Sequence, residues 1–190
     1  MSFGQAVGDY GSKAIGNWGT TGTNWIVCTS AGGWTGATDP APGAPTSTKN
    51  VWIRSGHRVT VNVSTASCNN ISFGDTTSHL VMGSSSSVLN VYGNFTIVST
   101  FPHRVFWLGS WPTGAKIKFT GSAATQTLSG WSTTGSSASF MEMIVDKSAG
   151  KVVTAGNNMR FSFGASLEII NGTFELANPD DIETRDLSNT

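Results

Sequence analysis

The sequence predicts an all-β chain folded as a right-handed parallel β-helix (solenoid). Residues 51–190 would form the coils and residues 1–50 an N-terminal leader and Trp-rich cap. Three observations carry this expectation. Short runs alternate apolar and polar residues with period two, as a strand with one buried face requires. Turn signals built on Gly and Asn separate the runs roughly every 7 to 12 residues. Two distant stretches share one grammar of strand, Gly turn, strand, Gly/Asn turn, strand, as stacked repeats do.

The runs follow in order. Val59, Val61 and Val63 share one side and Thr60 and Asn62 the other. Ile71 and Phe73 flank Ser72, residues 80–82 and 88–91 follow, and Phe95 and Ile97 flank Thr96. Further on, Ile117 and Phe119 flank Lys118, and Met141 and Met143 flank Glu142. Met159, Phe161 and Phe163 enclose Arg160 and Ser162; Leu167 and Ile169 flank Glu168; Phe174 and Leu176 flank Glu175. Turns fall at Gly74-Asp75, Gly83 with the serine run 84–87, Gly93-Asn94, Gly121, Gly150, Gly164 and Asn171-Gly172. Residues 69–74 resemble residues 157–161, and residues 83–97 resemble residues 164–176. A Greek-key sandwich shares the spacing, and the internal similarity favours the solenoid.

Composition sets bounds. Only 12% of residues are charged, so Ser, Thr, Asn and Gly must supply the polar surface. Seven Trp and ten Phe need a core, which argues against disorder. The net charge is zero, and no basic stripe is present to attract a phosphate backbone, so nucleic acid is not the expected partner. No apolar run is long enough for a membrane-spanning helix. The opening residues lack the basic and apolar regions of a signal peptide.

The residues Val7-Gly8-Asp9-Tyr10-Gly11-Ser12, Gly16-Asn17-Trp18, Trp25, Ala44-Pro45-Thr46 and the run 51–61, with its Gly56-His57 turn, form a recognisable series. It resembles the N-terminal β-helix module of secreted and cell-surface proteins of Bacteroidota that use type IX secretion. The resemblance covers residues 7–100 well and the rest loosely. It implies an extracellular location and a β-helix at the front of a longer chain. The sorting domain common in that family is not recognisable here, which suggests a chain truncated at its C-terminal end. Asp75-Thr76-Thr77 fits the short O-glycosylation pattern of such proteins, with Thr76 as acceptor; the same residues suit an ordinary Gly-Asp turn. The sequons at Asn62, Asn70, Asn94 and Asn171 carry little weight beside it.

Chemistry-bearing motifs are sparse. His57, His79 and His103 stand apart, with no clustered metal ligands, and no nucleophile elbow, phosphate loop or dinucleotide fingerprint occurs. No catalytic residue, metal or cofactor is therefore expected. Glu142 with Asp146, and Glu168 with Glu175, are the carboxylates a groove-lining glycosidase or lyase would use; outward Glu is equally a solubility device. Cys28 and Cys68 are candidates for one disulfide in an exported protein, or two small buried residues. Trp18, Trp25, Trp34 and Trp52 suit a cap over the first coil. Trp107, Trp111 and Trp131 are candidate contacts for a sugar or a partner protein, with packing on the solenoid flank as the other reading.

These observations favour a non-enzymatic extracellular scaffold, adhesin-like, whose partners are the remainder of a longer chain and surface glycans or other surface proteins. A carbohydrate-binding or carbohydrate-cleaving β-helix and a phage tail fibre or spike are the alternatives.

Overall fold

The computed structural model describes residues 6–30, 38–75, 77–97, 112–131, 140–156, 159–176 and 182–184. Among them are sixteen strands and no helix. The chain winds as a β-solenoid of about four turns with parallel stacked strands. Three short strands make each early coil. β5 (Val51–Ile53), β6 (Arg58–Val61) and β7 (Thr65–Cys68) form one. β8 (Ile71–Phe73), β9 (His79–Met82) and β10 (Val88–Val91) form the next. The coils stack in register: Val51 lies opposite Ile71, Val59 opposite Leu80 and Ala66 opposite Leu89.

Among the described residues, later coils continue two of these faces. β11 (Phe95–Ile97) stacks on β8, and β12 (Lys116–Gly121) stacks on β10. β13 (Thr125–Trp131) follows on β11. β14 (Phe140–Gly156) is long enough to serve both faces, pairing with β12 through residues 143–147 and with β13 through residues 151–156. The bend between those stretches contains Gly150 at φ 80. A Cβ there would lie 2.3 Å from the Ala124 carbonyl oxygen, so both backbone shape and space demand glycine. β15 (Met159–Glu175) stacks along β14, and β16 (Ile182–Thr184) pairs with the start of β15.

The alternation read from the sequence becomes continuous inward columns. On one face Tyr10, Val51, Ile71, Phe95 and Leu128 follow one another from coil to coil, all buried. On another, Ala66, Leu89, Ile117, Met143 and Leu167 form one column, and Cys68, Val91, Phe119, Val145 and Ile169 a second. Aromatic rings tie the faces together at the centre. Phe95 sits 5.5 Å from Phe73 and 6.4 Å from Phe119, centroid to centroid. The columns fade at the C-terminal end, where Ile169 is 50% exposed. The side chains of Ile97, Met141, Met159, Phe161 and Phe163 lie outside the described residues.

Asparagines line one corner as a ladder. The Asn50 amide donates to the Asp9 carboxylate (2.9 Å), and the Asn69 and Asn70 amides both donate to Asn50 Oδ1 (3.0 and 2.8 Å). Asn70 Oδ1 accepts from the Asn94 N–H (2.6 Å), and Asn94 Oδ1 from the Thr127 N–H (2.8 Å). The last two bonds satisfy backbone N–H groups at the corner, and the first three link the side chains of successive coils. A second polar pair lies deeper. Gln126 is fully buried and donates to the Val91 and Gly93 carbonyls, while its Oε1 accepts from Lys147 Nζ at 2.7 Å.

The N-terminal region is both coil and cap. β1 (Tyr10–Ser12) and β2 (Gly16–Asn17) already stack in parallel on β5 and β6, so coiling begins before residue 51. The chain then reverses: β3 (Trp25–Cys28) pairs antiparallel with β1, and β4 (Thr38–Pro40) antiparallel with β3. Trp18 and Trp25 are each 1% exposed and meet edge to face at 5.0 Å. Two of the four tryptophans thus make the expected cap core. Trp52 does not: it is half-buried on the outer side of β5, its indole nitrogen near Gly74. Trp34 lies outside the described residues. The cysteine bridge is not formed. Cys28 Sγ donates to the Ser30 carbonyl, and Cys68 Sγ approaches the Asn90 carbonyl on the coil face.

Two expectations follow. Phe95→Ala should lower unfolding free energy by about 3–5 kcal/mol, against about 1 kcal/mol for Ile169→Ala at the open end, as measured by urea denaturation. Gly150→Ala should cost at least ~1–2 kcal/mol from its left-handed backbone alone. Gly43→Ala, where a Cβ meets nothing within 4 Å, should change the melting temperature little.

Candidate functional site

Trp107, Trp111, His103 and Thr76 lie outside the described residues, as does the side chain of Trp131 at the end of β13. Asp75 and Thr77, on either side of Thr76, are described. Asp75 Oδ1 accepts from the Thr77 N–H and hydroxyl at 2.8 and 2.7 Å. Desolvation alone would raise the Asp75 pKa, but hydrogen bonds from Thr77, Ser55 and Ser78 outweigh it and hold the carboxyl below its usual range. The sequon asparagines are already engaged: Asn70 and Asn94 in the ladder, Asn62 with the Gly19 N–H, and Asn171 with Asp146.

Glu142 and Asp146 do share one face of β14, but they do not converge. Four residues of strand hold their Cα atoms about 13 Å apart, beyond the separations at which paired carboxylates act on one glycosidic bond. Each is also occupied. Glu142 faces Lys116 at 3.7 Å and accepts from the Gly114 N–H, while Asp146 meets Lys118 at 2.6 Å and Asn171 at 2.8 Å. The Lys118 and Asn171 hydrogen bonds lower the Asp146 pKa. Lys151 and Glu175 continue the pattern at 2.6 Å. Every one of these ion pairs joins adjacent coils, so the outer charges tie the stack together. Glu168 is exposed on β15.

The histidines serve the turns. Gly56, at φ 75, makes the expected Gly-His turn, and its N–H donates to the Thr77 hydroxyl on the next coil. His57 Nδ1 shares a hydrogen bond with Ser12 Oγ at 2.8 Å, which also accepts from the Arg54 N–H. The His79 N–H donates to the His57 carbonyl one coil above. Among the described residues no group of three or more His, Cys, Asp or Glu could hold a metal ion, and no helix is long and apolar enough to cross a membrane.

A groove of about 400 Å³ lies between the cap and the first complete coil. Trp18, Gly19 and Thr20 form one side, the loop of Ala44, Pro45, Thr46 and Ser47 another, and Val63, Thr65, Ala66 and Ser67 the floor, with Tyr92 at the end. Hydroxyls and apolar groups share this lining, and no charged side chain belongs to it. Sequence reasoning missed it because its walls come from four separate segments. The Ala44-Pro45-Thr46 series was visible, but not what it faces.

Fold and surface define a parallel β-solenoid with an antiparallel cap and an uncharged groove beneath that cap. The chain matches no family model, no curated protein and no solved structure.

A pH dependence follows from His57. Burial lowers its pKa, the Arg54 charge lowers it further, and the Ser12 hydrogen bond acts the other way. The unfolded chain therefore takes up the proton first, near pH 6.5, and stability present above that pH declines below it. The melting temperature should fall between pH 7.5 and 5.5, and His57→Asn should flatten that slope. Equal slopes for both proteins would remove His57 as the cause.

Proposed function

We propose that this chain is a non-enzymatic scaffold, an extracellular β-solenoid of a bacterial cell-surface or secreted protein that holds further modules, adhesin-like, away from the cell. The observation that supports this most is parallel stacking from β1 to β15, in register through β12 and shifted only at local irregularities in β13 to β15, with inward columns on two faces and ion pairs between coils outside. A stack of this kind is stiff along its axis, because bending it would break backbone bonds and open the apolar columns together. The half-exposed Ile169 at the end of its inward column suits a face on which further coils stack. The resemblance of residues 7–100 to the Bacteroidota module supports the extracellular assignment.

The test has two arms. An antibody against the chain should label intact source cells or their medium; labelling only after lysis would reject the extracellular assignment. Polysaccharide turnover that Glu142→Gln or Asp146→Asn abolishes would reject the scaffold role.

A further inference from the structure

We propose that the groove beneath the cap takes up an extended, uncharged polypeptide segment, which adds as a strand to the open edge of β7. The proposal rests on where the backbone groups of β7 point. Among the described residues β7 ends its series of strands and pairs with β10 alone. On that side the Val88 N–H donates to the Ser64 carbonyl and the Tyr92 N–H to the Cys68 carbonyl. In the parallel register of Thr65 with Val88 and Ser67 with Asn90, the N–H and C=O of Thr65 and Ser67 face the other way. That way lies the groove, which Thr65 and Ser67 line. Among the described residues no hydrogen bond engages those four backbone groups.

The neighbouring residue shows that this edge accepts a chain. The Asn69 N–H, next in the alternation, donates to the Lys49 carbonyl at 2.7 Å. The loop then turns away, with the Lys49 N–H donating to the Thr46 carbonyl, and forms the far wall of the groove. The edge is thus closed at Asn69 and open at Ser67 and Thr65, inside a walled cleft.

The chemistry selects the occupant. Donors and acceptors that alternate along an edge are matched by another backbone, which is the basis of recognition by strand addition. The lining offers no counter-charge, so a charged side chain would be desolvated without compensation. Val63, Ala44 and Pro45 offer apolar contact, and Thr20, Thr46 and Ser47 offer hydroxyls. A segment of small apolar and neutral polar residues fits both.

Linear heptapeptides displayed on phage would be selected against the full 190-residue chain, and the winners resynthesised for titration calorimetry. The expected winners are uncharged and bind through the main chain. N-methylation at alternate residues should weaken binding roughly tenfold or more, while methylation at the intervening residues should not. Ser67→Pro removes one groove-facing donor and no bond to β10, and should weaken binding similarly at an unchanged melting temperature. If that variant is unstable, the N-methyl series decides alone. The proposal is overturned by a selection that yields no binder, by indifference to methylation at every position, or by capture of neutral saccharides on a glycan panel without any peptide.

Discussion

The structure depends on one constraint: each coil must present its inward residues at the same height as those of the coil before it. Parallel strands bond to both neighbours at fixed spacing, so a slip of one residue would turn every buried side chain outward. The registers show how strictly this holds. Val88, Leu89, Asn90 and Val91 stand opposite Thr65, Ala66, Ser67 and Cys68 behind them, and opposite Lys116, Ile117, Lys118 and Phe119 ahead. Outward positions are free to change from Ser67 to Asn90 to Lys118, while inward ones change only among apolar residues. The rings of Phe73, Phe95 and Phe119 fill the centre, so the core is a continuous rod rather than a series of separate layers.

Register on the strands demands satisfied polar groups at the corners. The ladder from Asp9 through Asn50, Asn69, Asn70 and Asn94 to Thr127 does this without charge beyond its first member. It also leaves no room for larger residues: a Cβ on Gly93 would lie 2.3 Å from Asn70 Oδ1. Gln126 and Lys147 solve the same problem differently. Burial lowers the Lys147 pKa, and its contact is an amide oxygen rather than a carboxylate. Such a pair adds little net stability but is costly to break, since either partner alone would leave a buried polar group unsatisfied. It therefore fixes the corner more than it strengthens it.

Much of this was legible in the sequence because period-two alternation survives in a strand with one buried face. Ile71 and Phe73, Ile117 and Phe119, and Val59 and Val61 are buried as their spacing implies. The similarity of residues 83–97 to residues 164–176 points to stacked coils, and the Gly56-His57 turn is implied by the family resemblance. The misreadings have a common physical source. Trp52 alternates with Val51 and Ile53, and its outward placement follows from those two being inward; size alone had assigned it to the cap. Cys28 and Cys68 are both buried and unbridged, which is one of the two readings their sequence allows. The groove, the Asn ladder and the Lys147–Gln126 pair all join residues from different coils, and nothing local marks them.

The two ends of the solenoid are treated differently, and this bears on how the fold presents itself to other chains. At the N-terminal end the reversal into β3 and β4 converts a parallel stack into an antiparallel edge, and the outermost strand carries Asp39 and Pro40. Proline and charge on an edge strand discourage further pairing. Among the described residues β7 has no second strand partner, and the 44–47 loop lines the same groove as its Thr65 and Ser67. At the other end Ile169 and Ile170 are half-exposed on β15, with no such device among the described residues. Among the described residues the two ends thus differ: an antiparallel edge with Pro and Asp where coiling starts, and half-exposed apolar side chains on the last long strand.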